Sequence, residues 1–172
     1  MAVTAEAVRT TPADRAALRE ARCAVEEFHY EYAANLERGE IERWPDFFTD
    51  DANYRVVARD NADSNLPLGL IYCEGKGMLR DRAYALRHTE MYAPRYLQLM
   101  ISNTRVLAVD ADTITAESSF LLLETLVDEP SRMQLVGKYY DVFQRTGDAL
   151  LIKDRKCVYD SVVLNNCLVF PV

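Results

Sequence analysis

The sequence is poor in residues that bind metal ions. It has only two histidines, His29 and His88, and its four cysteines are widely and irregularly spaced. Zinc and iron sites need several such ligands at short, characteristic spacings. The P-loop, the G-x-G-x-x-G fingerprint, the G-x-S-x-G elbow and the H-E-x-x-H motif are also missing. We therefore expect no metal or cofactor site on this chain.

Positive charge and long apolar runs are scarce as well. The chain has 20 Lys and Arg against 27 Asp and Glu, a net charge of -7, which would repel phosphate backbones and anionic lipid headgroups. No apolar run approaches the roughly 20 residues that span a bilayer, and residues 1–11 lack the apolar core of a secretory signal. We expect a cytoplasmic protein with neither nucleic acid nor membrane as a partner.

The length and composition fit one domain. With 172 residues, of which 49% are hydrophobic, the chain can build one full core but hardly two. We expect a single domain over residues 1–172, with residues 1–11 flexible. The apolar tail of residues 162–172 should dock either in the domain's own core or in a subunit interface, because exposed apolar surface is unfavourable.

The periodicity of the first half predicts mainly helices. Apolar residues at steps of three and four predict a helix from Pro12 to about Gly39, followed by a short helical segment that carries Trp44. Asp50, Asp51 and Asn53 are turn formers, so we expect a turn there and a strand over 52–58. A loop over 59–67, a strand over 70–74 and a helix over 78–93 should follow.

The second half changes to long strands separated by turn residues. We expect strands over 96–109, 113–127, 133–145 and 149–159, in an antiparallel meander. Within the third of these, Tyr139 and Tyr140 must face opposite sides of the sheet. Helices grouped first and strands grouped last predict an α+β fold.

One local group could carry acid–base chemistry. Asp51 and Tyr54 lie close together in the sequence, and His88 could lie opposite them, so the three could exchange protons with a substrate. Adjacent aspartates ahead of a strand are also ordinary turn and capping residues, and this second interpretation is favoured.

Several motifs in order resemble one family. They are W-P-D-F-F-T-D-D-A-N-Y-R-V at 44–56, M-L-R-D-R at 78–82, Arg95-Tyr96, I-S-N at 101–103 and G-K-Y-Y-D at 137–141. Together with the strand over 153–160 and the apolar tail, this set resembles the β (small) subunits of aromatic-ring-hydroxylating dioxygenases. The likeness is greatest to the terephthalate type and other aromatic-carboxylate types.

The resemblance implies an architecture and a role. The fold would be a curved antiparallel sheet forming a cone-like half barrel covered by the N-terminal helices, of the nuclear transport factor two-like or scytalone dehydratase-like kind. A trimer of such chains would join three α subunits in an α3β3 assembly and support them structurally in the catabolism of aromatic compounds. A Rieske [2Fe-2S] cluster and a mononuclear Fe(II) would belong to the α subunit, with no catalytic centre on this chain. Structural or interface residues would be Trp44, Arg95, Tyr139, Tyr140 and Phe170.

The same fold leaves a second function open. A chain of this shape could be a stand-alone dehydratase or isomerase that uses Asp51, Tyr54 and His88 as its catalytic residues.

Overall fold

The computed structural model of the chain describes residues 12–89, 91–147, 149–161, 163–164 and 167–172. The expected flexibility of residues 1–11 therefore lies outside the described residues.

The described part of the chain has three α-helices and one 3-10 helix, and all of them come before Arg95 in the sequence. They are α1 (Pro12–Glu37), the 3-10 helix (Ile41–Phe47), α2 (Arg59–Asp63) and α3 (Gly75–His88). Helix α1 buries Ala21, Val25, Tyr32 and Leu36 along one face. It ends before Gly39, whose φ of +69° suits glycine far better than other residues.

Two predicted boundaries in this region were wrong. Helix α3 begins at Gly75 and ends at His88, earlier at both ends than the predicted helix over 78–93. The segment predicted as loop over 59–67 opens with the short helix α2.

The described residues form one sheet of six strands. The strands are β1 (Phe48–Ala58), β2 (Ile71–Glu74), β3 (Arg95–Val109), β4 (Thr113–Leu126), β5 (Arg132–Thr146) and β6 (Ala149–Tyr159). Their spatial order is β2-β1-β6-β5-β4-β3. All pairs are antiparallel except β1 and β6, which run parallel. The expected α+β fold with a curved, mainly antiparallel sheet is confirmed.

The predicted turn at Asp50 and Asp51 was wrong, because both residues lie in β1, which begins at Phe48 and not at residue 52. The pairing of β1 with β6 shifts register between Phe48 and Asn53. Such an irregularity, or β-bulge, interrupts the regular ladder and tolerates polar, turn-forming residues within a strand.

The core lies between α1, α3 and the concave face of the sheet. Helix α1 packs against β3, and α3 packs against β1 and the 3-10 helix. Inward residues alternate along β4, as its strictly alternating burial shows. Trp44 of the 3-10 helix is fully buried, with its ring 5.4 Å from that of Phe48 and 5.1 Å from that of Tyr54. This concave face carries the polar groups described next.

Candidate functional site

A buried ion pair lies at the centre of the concave face. Arg155 of β6 and Asp141 of β5 are direct partners in the strand register, and both are almost completely buried. The Nε and Nη2 atoms of Arg155 donate to the two carboxylate oxygens of Asp141, each at 2.8 Å. This bidentate geometry is the strongest form of an arginine–carboxylate contact.

His29 reaches this pair from α1. Its Nε2 atom lies 3.1 Å from Nη2 of Arg155 and 3.5 Å from Oδ2 of Asp141. Burial lowers the pKa of His29 below its ordinary value. Burial, the largest single effect, would raise the pKa of Asp141, but the positive charge of Arg155 and the hydrogen bonds from His29 and Arg155 together outweigh it, and the net shift of the pKa is downward. At neutral pH the group therefore holds a charged pair beside a neutral imidazole.

Two tyrosine rings enclose the guanidinium of Arg155. Its Cζ atom lies 4.5 Å from the ring centre of Tyr32 and 4.2 Å from that of Tyr139. Tyr139 in turn stacks on Phe120, at 4.6 Å between ring centres. Cation–π contacts of this kind gain strength where water is excluded, so the rings offset part of the desolvation of the charge.

The tail reaches into the same interior. Val172 is fully buried, its N–H donates to Oη of Tyr54 at 2.9 Å, and its carbonyl accepts from Tyr32 at 2.8 Å and Tyr54 at 3.0 Å. Nε1 of Trp44 donates to Oη of Tyr32 at 3.0 Å. Further back, Arg82 donates to the carbonyl of Val169 at 3.1 Å. The backbone of the tail is thus held by side chains from α1, β1 and α3.

We name Arg155, Asp141, His29, Tyr32 and Tyr139 the interior cluster. A general acid or base must come within hydrogen-bonding reach of a substrate. The charged members of the interior cluster bind one another and are shielded from solvent, and Val172 fills the neighbouring space. The arrangement is suited to fixing the sheet under α1 rather than to proton transfer.

The three residues of the alternative acid–base site bind different neighbours. Asp51 is exposed and accepts from Oγ1 of Thr49 at 2.8 Å, a bond that lowers the pKa of its carboxyl. His88 is exposed, with Nε2 3.1 Å from Glu42. Tyr54 is buried against Val172, so the structure does not favour a shared pocket for the three.

The other residues predicted from the sequence are divided between the core and the surface. Trp44 and Tyr139 are buried, and Tyr140 is partly exposed on the convex face. Arg95 donates to Oε2 of Glu124 at 2.8 Å in a nearly buried ion pair. The ring of Phe170 contacts that of Tyr92 at 5.2 Å. Whether any of them contacts a partner stays a prediction.

Asp141 and Arg155 were missed from the sequence, although a signal exists. Asp141 follows the buried Tyr139 by two residues, and Arg155 precedes the buried Cys157 by two. A charge at an inward position in each of two neighbouring strands indicates a buried pair.

The described residues offer no metal centre. Among them, no group of three or more His, Cys, Asp or Glu side chains is placed to hold a metal ion. Cys157 is fully buried, and burial raises the pKa of its thiol, which disfavours the thiolate that metals bind. No helix in the described part of the chain is long and apolar enough to cross a bilayer.

The chain is thus a small α+β protein with a curved sheet and a buried polar cluster. Comparison with known proteins shows the family to which it belongs. Residues 32–166 match the family model of the ring hydroxylating beta subunit. The chain belongs to this family of dioxygenase small subunits, as the motifs of the sequence indicate.

Individual relatives agree with the family. The anthranilate 1,2-dioxygenase small subunit of Burkholderia cepacia is 35% identical over 82% of this chain and 88% of its own. The terephthalate 1,2-dioxygenase terminal oxygenase component subunit beta 2 of Comamonas sp is 28% identical over 84% of this chain and 94% of its own. A crystal structure from Novosphingobium aromaticivorans, assigned as the beta subunit of an aromatic-ring-hydroxylating dioxygenase, has a TM-score of 0.80. It shares 34% identity and covers 88% of this chain and 95% of that one.

Proposed function

We propose that this chain is the structural small subunit of a multicomponent Rieske non-haem iron dioxygenase and that it supports a catalytic large subunit. The observation that carries the proposal is the buried interior. Arg155 and Asp141 are buried and bind each other, and Val172 is buried and bonded to Tyr32, so these polar groups are already engaged within the chain.

The iron centres of the assembly would belong to the large subunit. A Rieske cluster needs two cysteine and two histidine ligands, and a mononuclear iron site needs histidines and a carboxylate. The residues of this chain do not fit either group, because His29 faces the guanidinium of Arg155 and the exposed His88 binds Glu42. We therefore propose that this subunit carries no cofactor.

The names of two relatives support a substrate class. Anthranilate and terephthalate are both aromatic carboxylates. We propose that the whole enzyme hydroxylates an aromatic carboxylate, with the large subunit forming the pocket.

We propose a cytoplasmic α3β3 assembly in which this chain forms the trimer. Exposed apolar side chains on the convex face support an interface there. Met100 pairs with Leu121, which pairs with Val136, and Leu123 pairs with Met133 on the same face. The side chains of Met100 and Met133 are about half exposed, whereas methionines in a core are buried.

Oligomeric state gives the first test. Light scattering of the isolated chain at micromolar concentration should give the mass of three chains, because closed symmetric contacts would bury this apolar row. The mass of one chain at all concentrations would contradict the trimer and favour an isolated enzyme.

Dependence on the large subunit gives the second test. The chain alone should convert no aromatic carboxylate, and co-expression with a large subunit and a reductase system should give activity. In that complex Asp51→Asn and His88→Ala should keep turnover within a few-fold of the wild type. A loss of about a thousandfold in an intact complex, or dehydratase activity of the chain alone, would refute the structural role.

A further inference from the structure

A cleft opens on the convex face of the sheet, on the side opposite the interior cluster. Its volume is about 640 Å³, which is within the range of small-molecule sites. Strands β1, β2 and β6 form the floor, and the segment after α2 forms the wall. We call it the outer cleft; its main lining residues are Arg55, Val57, Leu66, Leu68, Tyr72 and Lys156.

The floor of the outer cleft follows from strand register. Arg55 pairs with Tyr72 of β2 on one side and with Lys156 of β6 on the other. Partners in register project from the same face of a sheet. Two cations therefore lie side by side next to a tyrosine ring.

The wall of the outer cleft is tied to the sheet. The N–H of Leu70 donates to the carbonyl of Val56 at 2.7 Å, and Nδ2 of Asn61 donates to the carbonyl of Leu68 at 3.3 Å. A Cβ at Gly69 would lie 2.6 Å from that carbonyl oxygen of Val56, so the segment approaches the strand as closely as glycine permits. Leu66 and Leu68 are held beside the floor with much of their surface exposed.

The charges of the floor are only partly offset. Nη2 of Arg55 lies 3.0 Å from both carboxylate oxygens of Asp154, and Tyr72 donates to Glu74 at 3.2 Å. The Nε atom of Arg55 is buried and has no hydrogen-bond partner among the described residues. Lys156 forms no ion pair within the described part of the chain. Asp154 offsets Arg55, and Glu74 adds a second carboxylate, so the donor left for a ligand is the ammonium group of Lys156.

We propose that the outer cleft binds a small carboxylate carried on an aromatic or other apolar ring. The carboxylate would bind the ammonium group of Lys156, beside the guanidinium of Arg55, and the ring would pack between Leu66, Leu68 and Val57. An anion without a ring would leave the leucines exposed, and a ring without a charge would leave Lys156 unpaired. This site is separate from the proposed assembly role and does not depend on it.

Equilibrium dialysis of the isolated, full chain against 2-naphthoate tests the site. Saturable binding with one site per chain is expected, with an affinity on the order of millimolar for a ligand of this size. The neutral 2-naphthylmethanol and the ringless acetate should each bind about tenfold more weakly or worse, because each lacks half of the recognition.

Matched lysine variants locate the site. Lys156→Met keeps the apolar stem and should weaken 2-naphthoate binding about tenfold. Lys153→Met changes an exposed lysine of the same strand and should leave binding unchanged. Leu68→Asn, at an exposed position, should weaken binding without loss of folding, as circular dichroism would check.

Two results would overturn the proposal. One is the absence of saturable binding, and the other is equal binding by the wild type and the Lys156→Met variant. If 2-naphthoate does not bind but Lys156→Met weakens association with a large subunit, the outer cleft is a protein contact instead.

Discussion

Removing the charge of Arg155 should destabilise the fold far more than a typical surface change. Arg155→Met leaves the carboxylate of Asp141 in the interior without its cation and without two hydrogen bonds of 2.8 Å. Breaking a buried ion pair in this way costs about 3–5 kcal/mol. That is a large share of the roughly 5–15 kcal/mol by which a domain of this kind is stable.

The same sheet contains a matched control. Arg55 also binds both oxygens of an aspartate, Asp154, but their side chains are 36% and 32% exposed, against 0% and 1% for Arg155 and Asp141. Solvent screens the outer pair, so Arg55→Met should cost only about 0–1 kcal/mol.

Urea unfolding measures both effects. Trp44, the single tryptophan, is buried and bonded to Tyr32, so its fluorescence should report loss of the core. All variants must be compared at one protein concentration, because assembly adds to the apparent stability. If Arg155→Met does not fold, Asp141→Asn supplies the same comparison.

A double variant separates charge from packing. Arg155→Met combined with Asp141→Leu removes both charges and should recover part of the loss, because no unpaired ion is left in the interior. Equal losses for Arg155→Met and Arg55→Met would refute the reasoning, since burial would then make no difference to the ion pair.

Three further predictions test other parts of the fold. Trp44→Ala should lower the free energy of unfolding by about 3–5 kcal/mol in urea titrations, and an unchanged midpoint would show that the indole is not core. Burial lowers the pKa of His29 from 6.5 in the folded state, so the folded protein favours the neutral ring. The stability that the neutral ring contributes is therefore fully present above pH 6.5, and it is lost as pH falls below 6.5. His29→Gln should therefore flatten the dependence of stability on pH between 7 and 5. Gly137→Ala would bring its Cβ to 2.0 Å from the carbonyl oxygen of Val158 and should cost several kcal/mol, roughly as severe overpacking does, or prevent folding. Gly77→Ala, with no atom within 4 Å of its Cβ, should be neutral or slightly stabilising in thermal unfolding.

The strands of the meander could be predicted because their signal is local. Alternating burial and short polar turns mark each strand, and β6 runs from Ala149 to Tyr159 as the sequence predicts. Strand β1 could not be bounded in this way. Its pairing is irregular where Asp50 and Asp51 lie, and turn-forming residues within a strand give a false local signal.

The interior cluster could not be predicted, because its contacts join distant parts of the sequence. His29 and Arg155 are 126 residues apart, and Tyr32 and Val172 are 140 apart. A charged residue in a strand is assigned to the solvent face by default. The strand register contradicts this default, because it makes Asp141 of β5 and Arg155 of β6 direct partners on neighbouring strands.

The register of the sheet connects the interior cluster with the outer cleft. Arg155 points into the core and the next residue, Lys156, lines the outer cleft; in β1, Tyr54 points inward and Arg55 outward. A shift of β6 by one residue would turn its inward side chains outward, and it would expose Arg155, the partner of Asp141. The buried pair therefore resists such a shift, and it fixes which side chains reach the convex surface. In this way the buried pair would serve the structural role that we propose for the chain.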